Sequence, residues 1–329
     1  MSGGSIPRQP AAFVLRLPAV VTADDAIDAI AGIGGAQPGQ RALHAKGRLY
    51  RGTFTASPEA AQLSRAAHLS GSTVAALIRF SNGSGNPAQR DGSPGVRGMA
   101  VKFTLPDGST TDLSTQTAKL FPSSTPEGFV ALLAALRPGI AAPVRLARYV
   151  MAHPRMVATL RRMRAANEIP ASYATAGYHG LHAFRWIGAD GGARFVRYNL
   201  TPAAGIEVLP APVASVKGPD FLFDEFDQRL AAGPVRFYYR VQIAAPGDST
   251  VDPSRPWRST QNVTVGTLDI TSIDTQRERG DDIVVFDPMR VTDGIEPSDD
   301  PVLRFRTRAY SASVKLRTGV DRGSEAPPG

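Results

Sequence analysis

The sequence predicts an α+β fold built on an antiparallel β-barrel, with helices inserted between or appended to its strands. Three observations carry that prediction. Five extended segments are rich in β-branched and aromatic residues: Val74 to Ser81, Val96 to Leu105, Ala183 to Leu200, Val235 to Ala244 and Val263 to Ile273. Two neighbouring pairs lie 15 to 25 residues apart, with glycine, proline or aspartate turns between them and without the regular helix alternation of a βαβ repeat. Helix signals fall outside these strands, each with its own start residue.

The first helix covers Thr22 to Ile33. Thr22 can cap it, Asp25 sits at the N3 position, and Ile27 and Ile30 begin an apolar face. Ser57-Pro58-Glu59 opens a second helix. Thr125-Pro126-Glu127 opens a third, in which Phe129, Leu132, Leu133 and Leu136 recur at helical spacing before Pro138 stops it. A fourth spans Asp220 to Ala231 and ends at Gly233. The segment Arg145 to Arg164 reads as an amphipathic surface helix broken near Pro154, with contact to an anionic surface as the alternative. Arg304, Arg306, Arg308 and Tyr310 alternate with period two, so periodicity alone allows either strand or helix there. Asp299 or Asp300, next to Pro301, suits a helix cap.

Composition narrows the functional classes. The chain has 329 residues, 42% apolar, with no apolar run long enough to span a bilayer, which predicts a globular protein without stable membrane insertion. The first twenty residues lack a continuous apolar core followed by a small-residue cleavage site, so a cytoplasmic location is expected by default. There is no cysteine, which excludes disulfides, thiolate metal sites and cysteine nucleophiles. The net charge of +8 comes from scattered arginines and not from one basic block, so nucleic acid is not an expected partner. No His-x-x-x-His or His-Glu-x-x-His zinc spacing, phosphate-binding glycine loop or Gly-x-Ser-x-Gly elbow occurs. With no repeat and no long linker, residues 1–20 read as an arm, 21–318 as a single domain and 319–329 as a tail.

Three strings stand out. The first is Arg41-x-x-His44-Ala45-Lys46-Gly47. The second is Arg79-Phe80-Ser81, followed by a glycine-rich loop and Arg97-Gly98-Met99-Ala100-Val101-Lys102-Phe103. The third runs from Val285-Phe286-Asp287-Pro288 through Gly294-Ile295-Glu296-Pro297 to Leu303-Arg304-Phe305-Arg306-Thr307-Arg308-Ala309-Tyr310. In this order they resemble the distal and proximal haem segments of the catalase family. The likeness spans roughly residues 41 to 317. It implies a catalase-like antiparallel β-barrel with surrounding and inserted helices, a haem b cofactor, and a helix around Tyr310.

Family positions then map onto this chain. Tyr310 corresponds to the axial iron ligand and is the metal-binding residue. Arg306, one helical turn before it, is the guanidinium that favours a phenolate; a free tyrosine ionises near pH 10 and needs such help. His44 corresponds to the distal acid–base, and Ser81 to the residue that orients it. Arg41, Arg79 and Arg317 match positions that hold the haem propionates, a task that suits guanidinium. The resemblance thus implies peroxide turnover through a ferryl intermediate on tyrosinate-ligated haem. Its expected partners are a peroxide and a small-molecule reductant, and a homo-oligomer is left open.

Two departures refine the expectation. Gln116 stands where the family carries a distal asparagine, one methylene shorter. The chain is also short, and SASVKLR after Tyr310 lacks the usual histidine-rich string. Both features resemble the small catalase-related haem peroxidases, which implies activity on organic hydroperoxides with weak catalase action on hydrogen peroxide. A hydroperoxide isomerase of the allene oxide synthase type and a non-enzymatic haem-binding protein are the alternatives. His179 and His182 read as packing or surface residues, His68 and His153 receive no role, and Trp186 and Trp257 read as core, Trp257 also as a candidate radical site.

Overall fold

The computed structural model describes residues 20–34, 37, 39–153, 168–275 and 283–318. The arm before Val20, the tail 319–329 and the part of the Arg145–Arg164 segment beyond His153 lie outside the described residues. In chain order the elements are α1 (Ala23–Gly34), β1 (Gly47–Ala56), α2 (Pro58–Leu63), β2 (Val74–Asn82), β3 (Arg97–Thr104), β4 (Thr110–Gln116), α3 (Pro126–Leu136), α4 (Ala142–Ala152), β5 (Ile169–Pro170), β6 (Tyr178–His179), β7 (Phe184–Ile187), β8 (Ala193–Pro202), β9 (Val208–Leu209), α5 (Ala211–Ser215), α6 (Phe221–Ala232), β10 (Val235–Ile243), β11 (Asn262–Ile273), β12 (Ile295–Pro297) and α7 (Pro301–Thr318).

Eight antiparallel strands close on themselves in the order β10-β11-β1-β2-β3-β4-β6-β8, with β8 pairing back onto β10. The β7 and β12 strands extend the sheet from β8, and β5 and β9 form a separate ribbon. Closure leaves the barrel without free edges. Its interior is filled, not open: Tyr50, Phe54, Phe80, Phe103, Tyr178, Phe237 and Tyr239 belong to one buried cluster. Phe80 alone meets the rings of Tyr50, Tyr173, Tyr178, Phe226 and Phe237 at centroid distances of 4.8 to 6.1 Å. Any functional cavity therefore has to lie outside the barrel wall.

The helix starts follow their capping residues. Thr22 Oγ1 accepts from the Asp25 amide at 3.1 Å, while the Thr22 amide donates to Asp25 Oδ2 at 2.9 Å, a capping box closed by aspartate. Thr125 Oγ1 accepts from the Gly128 amide at the start of α3. Helix α6 is capped from a distance instead: Asp91 Oδ2 accepts from the Leu222 amide, and Asp220 pairs with Lys46.

One expected element is corrected. Ala183 to Leu200 is not a single strand but the β7–β8 hairpin, turned through Gly188 to Gly192 with Gly191 at φ 79°. Strand-forming residues on both sides of that turn make the stretch read as continuous. Strand β4 is absent from the expected set because Thr110–Gln116 contains only one large apolar residue, Leu113. The ambiguous Arg304–Tyr310 segment is helical, within α7. Among the described residues no helix is long and apolar enough to cross a membrane.

Candidate active site

Register across β2, β3 and β4 sets out the first half of the site. Ser81 pairs with Gly98 and Gly98 with Gln116; one step along, Arg79 pairs with Ala100 and Ala100 with Ser114. Residues opposite one another in a ladder share a face. These two rows stand on the outer face of the barrel, opposite the face that carries Phe80 and Val101 into the core. Helices α1, α3 and α7 pack on one another over this wall, joined by small apolar clusters such as Val21, Ala26, Val130 and Phe305. Between wall and helices lies a cavity of about 230 Å³. Its lining includes all eight residues singled out from the sequence: Arg41, His44, Arg79, Ser81, Gln116, Arg306, Tyr310 and Arg317. Ile27, Ile30, Phe129 and Phe305 add apolar walls.

His44 precedes β1 and has φ 57°, the sole positive φ at a non-glycine among the described residues. Left-handed backbone at a histidine costs energy and persists where the surroundings enforce it. Here the His44 and Ala45 amides donate to the carbonyls of Gly83 and Ser84, and Arg79 Nη2 donates to the His44 carbonyl at 2.9 Å. The imidazole Nδ1 meets Ser81 Oγ at 3.0 Å, which leaves Nε2 as the other ring nitrogen. Gly98 makes this packing possible, because a Cβ there would sit 2.8 Å from both His44 Nδ1 and Ser81 Oγ. Desolvation, followed by the positive charges of Arg79, Arg306 and Arg41, pushes the His44 pKa down to about 3. The ring is therefore neutral at neutral pH and can accept a proton.

The other half is built on α7. Asp300 Oδ1 accepts from the Val302 and Leu303 amides at 2.8 and 3.2 Å, so Asp300 and not Asp299 caps the helix. Its second oxygen, Oδ2, lies 2.6 Å from His182 Nδ1. Burial lowers the His182 pKa, so the ring is neutral, donates from Nδ1 to Asp300 and can accept at Nε2, which lies 3.2 Å from Arg306 Nη1. Arg306 Nη2 donates to Ser114 Oγ at 3.0 Å and to the Tyr310 hydroxyl oxygen at 2.5 Å. A continuous chain thus runs from the helix cap through His182 and Arg306 to the phenol. The sequence alone assigns His182 only a packing or surface place and gives Ser114 no role. An aspartate before Pro301 together with an otherwise unassigned histidine was the available signal.

The arginines on the wall and helices form a positive rim. Burial, then the charges of Arg79 and Arg317, lowers the Arg41 pKa to about 8, and burial lowers that of Arg317. Arg41 donates to the Val284 carbonyl, while Arg317 Nε is buried without a hydrogen-bond partner. Among the described ion pairs neither residue meets a carboxylate. Such a cluster calls for an anionic guest. Among the described residues no group of three or more His, Asp or Glu side chains could hold a bare metal ion.

A larger cavity of about 910 Å³ collects none of the eight residues. His179, Arg197 and Trp257 line it; Trp257 Nε1 donates to the Ser249 carbonyl and Arg197 stacks 4.5 Å from its ring.

Comparison with known proteins agrees with this architecture. The profile of the catalase family matches residues 18–324. A catalase-related peroxidase of Mycolicibacterium paratuberculosis is 72% identical over 94% of this chain and 98% of its own length. One of Synechococcus elongatus is 33% identical over 91% of this chain and 89% of its own. A solved fungal catalase superposes with a TM-score of 0.76 at 20% identity, covering 87% of this chain and 61% of the fungal one. Catalase A from Saccharomyces cerevisiae does so over 86% of this chain and 62% of its own, also at 0.76. The chain therefore spans about three-fifths of the solved catalases but nearly all of the peroxidases. It belongs to the catalase family and is an oxidoreductase.

Proposed function

We propose that this chain is a haem-dependent peroxidase that reduces organic hydroperoxides, and hydrogen peroxide with weak catalase activity, at a haem b whose iron Tyr310 ligates. The observation that carries the reading is the placement of Tyr310 and His44 around one cavity with an arginine rim and apolar walls. Guanidinium groups suit the two propionates, and the apolar side chains suit the ring. The names of the two peroxidases, one of them 72% identical, support the same reading. Family membership as an oxidoreductase removes the non-enzymatic alternative. We take residues 21–318 as one haem domain and the cytoplasm as its location.

When bound, haem supplies the iron at which the peroxide O–O bond is cleaved. Neutral His44 takes the proton from the inner peroxide oxygen at Nε2 and gives it to the outer oxygen, which leaves as an alcohol or as water. Ser81, through Nδ1, and Gly98, beneath the ring, keep the imidazole in the orientation that this transfer needs. Gln116, opposite Gly98 in the ladder, offers an amide donor from a longer side chain than asparagine. On the other wall Arg306 donates to the Tyr310 oxygen and fixes where it points, while His182 and Asp300 hold the guanidinium in place. Two electrons from a small-molecule reductant complete the cycle.

Stopped-flow spectroscopy of haem-loaded protein with cumene hydroperoxide, a lipid hydroperoxide and hydrogen peroxide tests this. Formation of the alcohol matched by consumption of a phenolic reductant supports the peroxidase. A rearranged lipid product without reductant consumption transfers the reading to an isomerase. Tyr310→Phe should abolish the tyrosinate signature of the haem spectrum and turnover with it; an unchanged spectrum would remove Tyr310 as ligand.

A further inference from the structure

Helix α4 sits on the outer side of α3. Tyr149 anchors it, packing on Leu132 and Ala135 and donating its hydroxyl to the Gly128 carbonyl at 3.1 Å. The face turned away from Tyr149 carries Val144, Arg148 and Met151, spaced i, i+4, i+7 and so on one side of the helix. Val144 is 60% and Met151 73% exposed, and Ile140 just before the helix is fully exposed. A helix in water normally turns polar residues outward, so this one shows an inverted pattern. Its polar component is purely cationic: from Gly128 to His153 the sequence has three arginines, Arg137, Arg145 and Arg148, and no lysine, aspartate or glutamate. The sequence continues to Asn167 with four more arginines and still no carboxylate.

We propose that the outer face of α4, with Ile140, Val144, Arg148 and Met151, docks the protein on the surface of a bilayer that contains anionic phospholipid. Aliphatic side chains interspersed with guanidinium groups match the headgroup level, where the former enter the acyl boundary and the latter lie among phosphates. A second copy fits worse, because a two-fold contact would set arginine against arginine with no acid on the patch to answer it. Docking is peripheral, since no described helix is long and apolar enough to cross. Pro126 and Phe129 on α3 line the 230 Å³ cavity, so the bilayer would lie one helix away from it. The proposal does not rest on the haem reading and is tested without turnover.

The experiment is vesicle flotation of the full chain. Vesicles of phosphatidylcholine with one-third phosphatidylglycerol should carry the protein upward, and vesicles of phosphatidylcholine alone should carry far less. Raising the salt should weaken the binding. Arg148→Ala should lower the partition coefficient about fivefold, the loss expected for one arginine near an anionic surface. The Val144→Glu, Met151→Glu double variant should fall further, with the melting temperature unchanged because both positions face solvent. Protein that stays at the bottom with anionic vesicles overturns the proposal, as does flotation unchanged by either variant. Light scattering that shows an oligomer split by the double variant, with flotation unaltered, assigns the face to a second copy and overturns it as well.

Discussion

The two faces of strands β2 to β4 are made from the same stretches of chain and have opposite tasks. Ile78, Phe80, Met99 and Val101 point inward and are fully buried, whereas Arg79, Ser81, Gly98 and Gln116 point outward into the cavity. Alternation along a strand places a core residue and a functional residue side by side. Stability and chemistry should therefore separate between neighbours as close as Phe80 and Ser81.

The largest effect on the inner face is expected at Phe80. Phe80→Ala empties the centre of an aromatic cluster and should cost about 3–5 kcal/mol of stability, measured by denaturant unfolding. A cost well under 1 kcal/mol would mean that the barrel core is less tightly filled than its ring contacts indicate. On the cavity side, His44→Ala should slow peroxide cleavage by about 10²–10⁴-fold while leaving haem uptake and the unfolding midpoint close to the parent values. Unchanged turnover would remove the histidine from its assigned task.

Acid should distinguish the two faces less sharply, because each has a buried neutral histidine. His68 stacks on Phe103 at 5.1 Å inside the protein, with Nδ1 unpartnered, and burial pushes its pKa down to about 4. His44 is pushed down to about 3. Unfolded, both bind protons near 6.5, so the unfolded chain takes up more protons below that value. The stability that their neutrality contributes is complete above about pH 6.5. It is lost as the pH falls toward about 4 for His68 and about 3 for His44. Replacing His68 by Phe should shrink the loss of stability between pH 7 and pH 4.5 by about 2 kcal/mol. Parallel pH profiles for the parent and His68→Phe would contradict the assigned cause.

The smallest expected effect tests the helix side of the cavity. His182→Gln keeps a side chain of similar reach but disturbs the link between Asp300 and Arg306. Loss of such an outer partner typically costs about 10–100-fold. It should appear in kcat and in the haem absorption bands, with KM little changed. A purely structural histidine would instead lower the unfolding midpoint and leave the spectrum alone.

The sequence made the ends of the site legible and the middle illegible. His44, Ser81, Arg306 and Tyr310 stand in local strings that the family resemblance marks, although spacing alone leaves Arg306 and Tyr310 between strand and helix. His182 and Asp300, in contrast, are separated by 118 positions and meet only once β7 and α7 are in place; nothing local marks them as partners. Strand β4 was hidden for a related reason. Its outward residues Asp112, Ser114 and Gln116 are polar because they serve ion pairs and the cavity, with Asp112 bridging Lys102 and Arg290 at 2.6 Å each. A strand whose outer face is buried against function does not show the simple apolar–polar alternation that betrays a strand facing water. The β7–β8 hairpin was missed by the opposite error, since both arms are good strand sequences and only the glycines between them signal reversal.

The aromatic plug of the barrel bears on the order of assembly. The barrel owns one extensive core, which takes in Leu303 at the start of α7, whereas the rest of the helical cover is held by separate small clusters: Val21 with Phe305, and Ile27 with Ile30 and Ala42. Lifting α1 and α3 breaks only small apolar clusters, whereas unravelling the strands opens the main core, so these two helices belong to the low-energy end of local openings. A bulky planar guest can then enter by displacing helices alone, while the cylinder beneath stays shut.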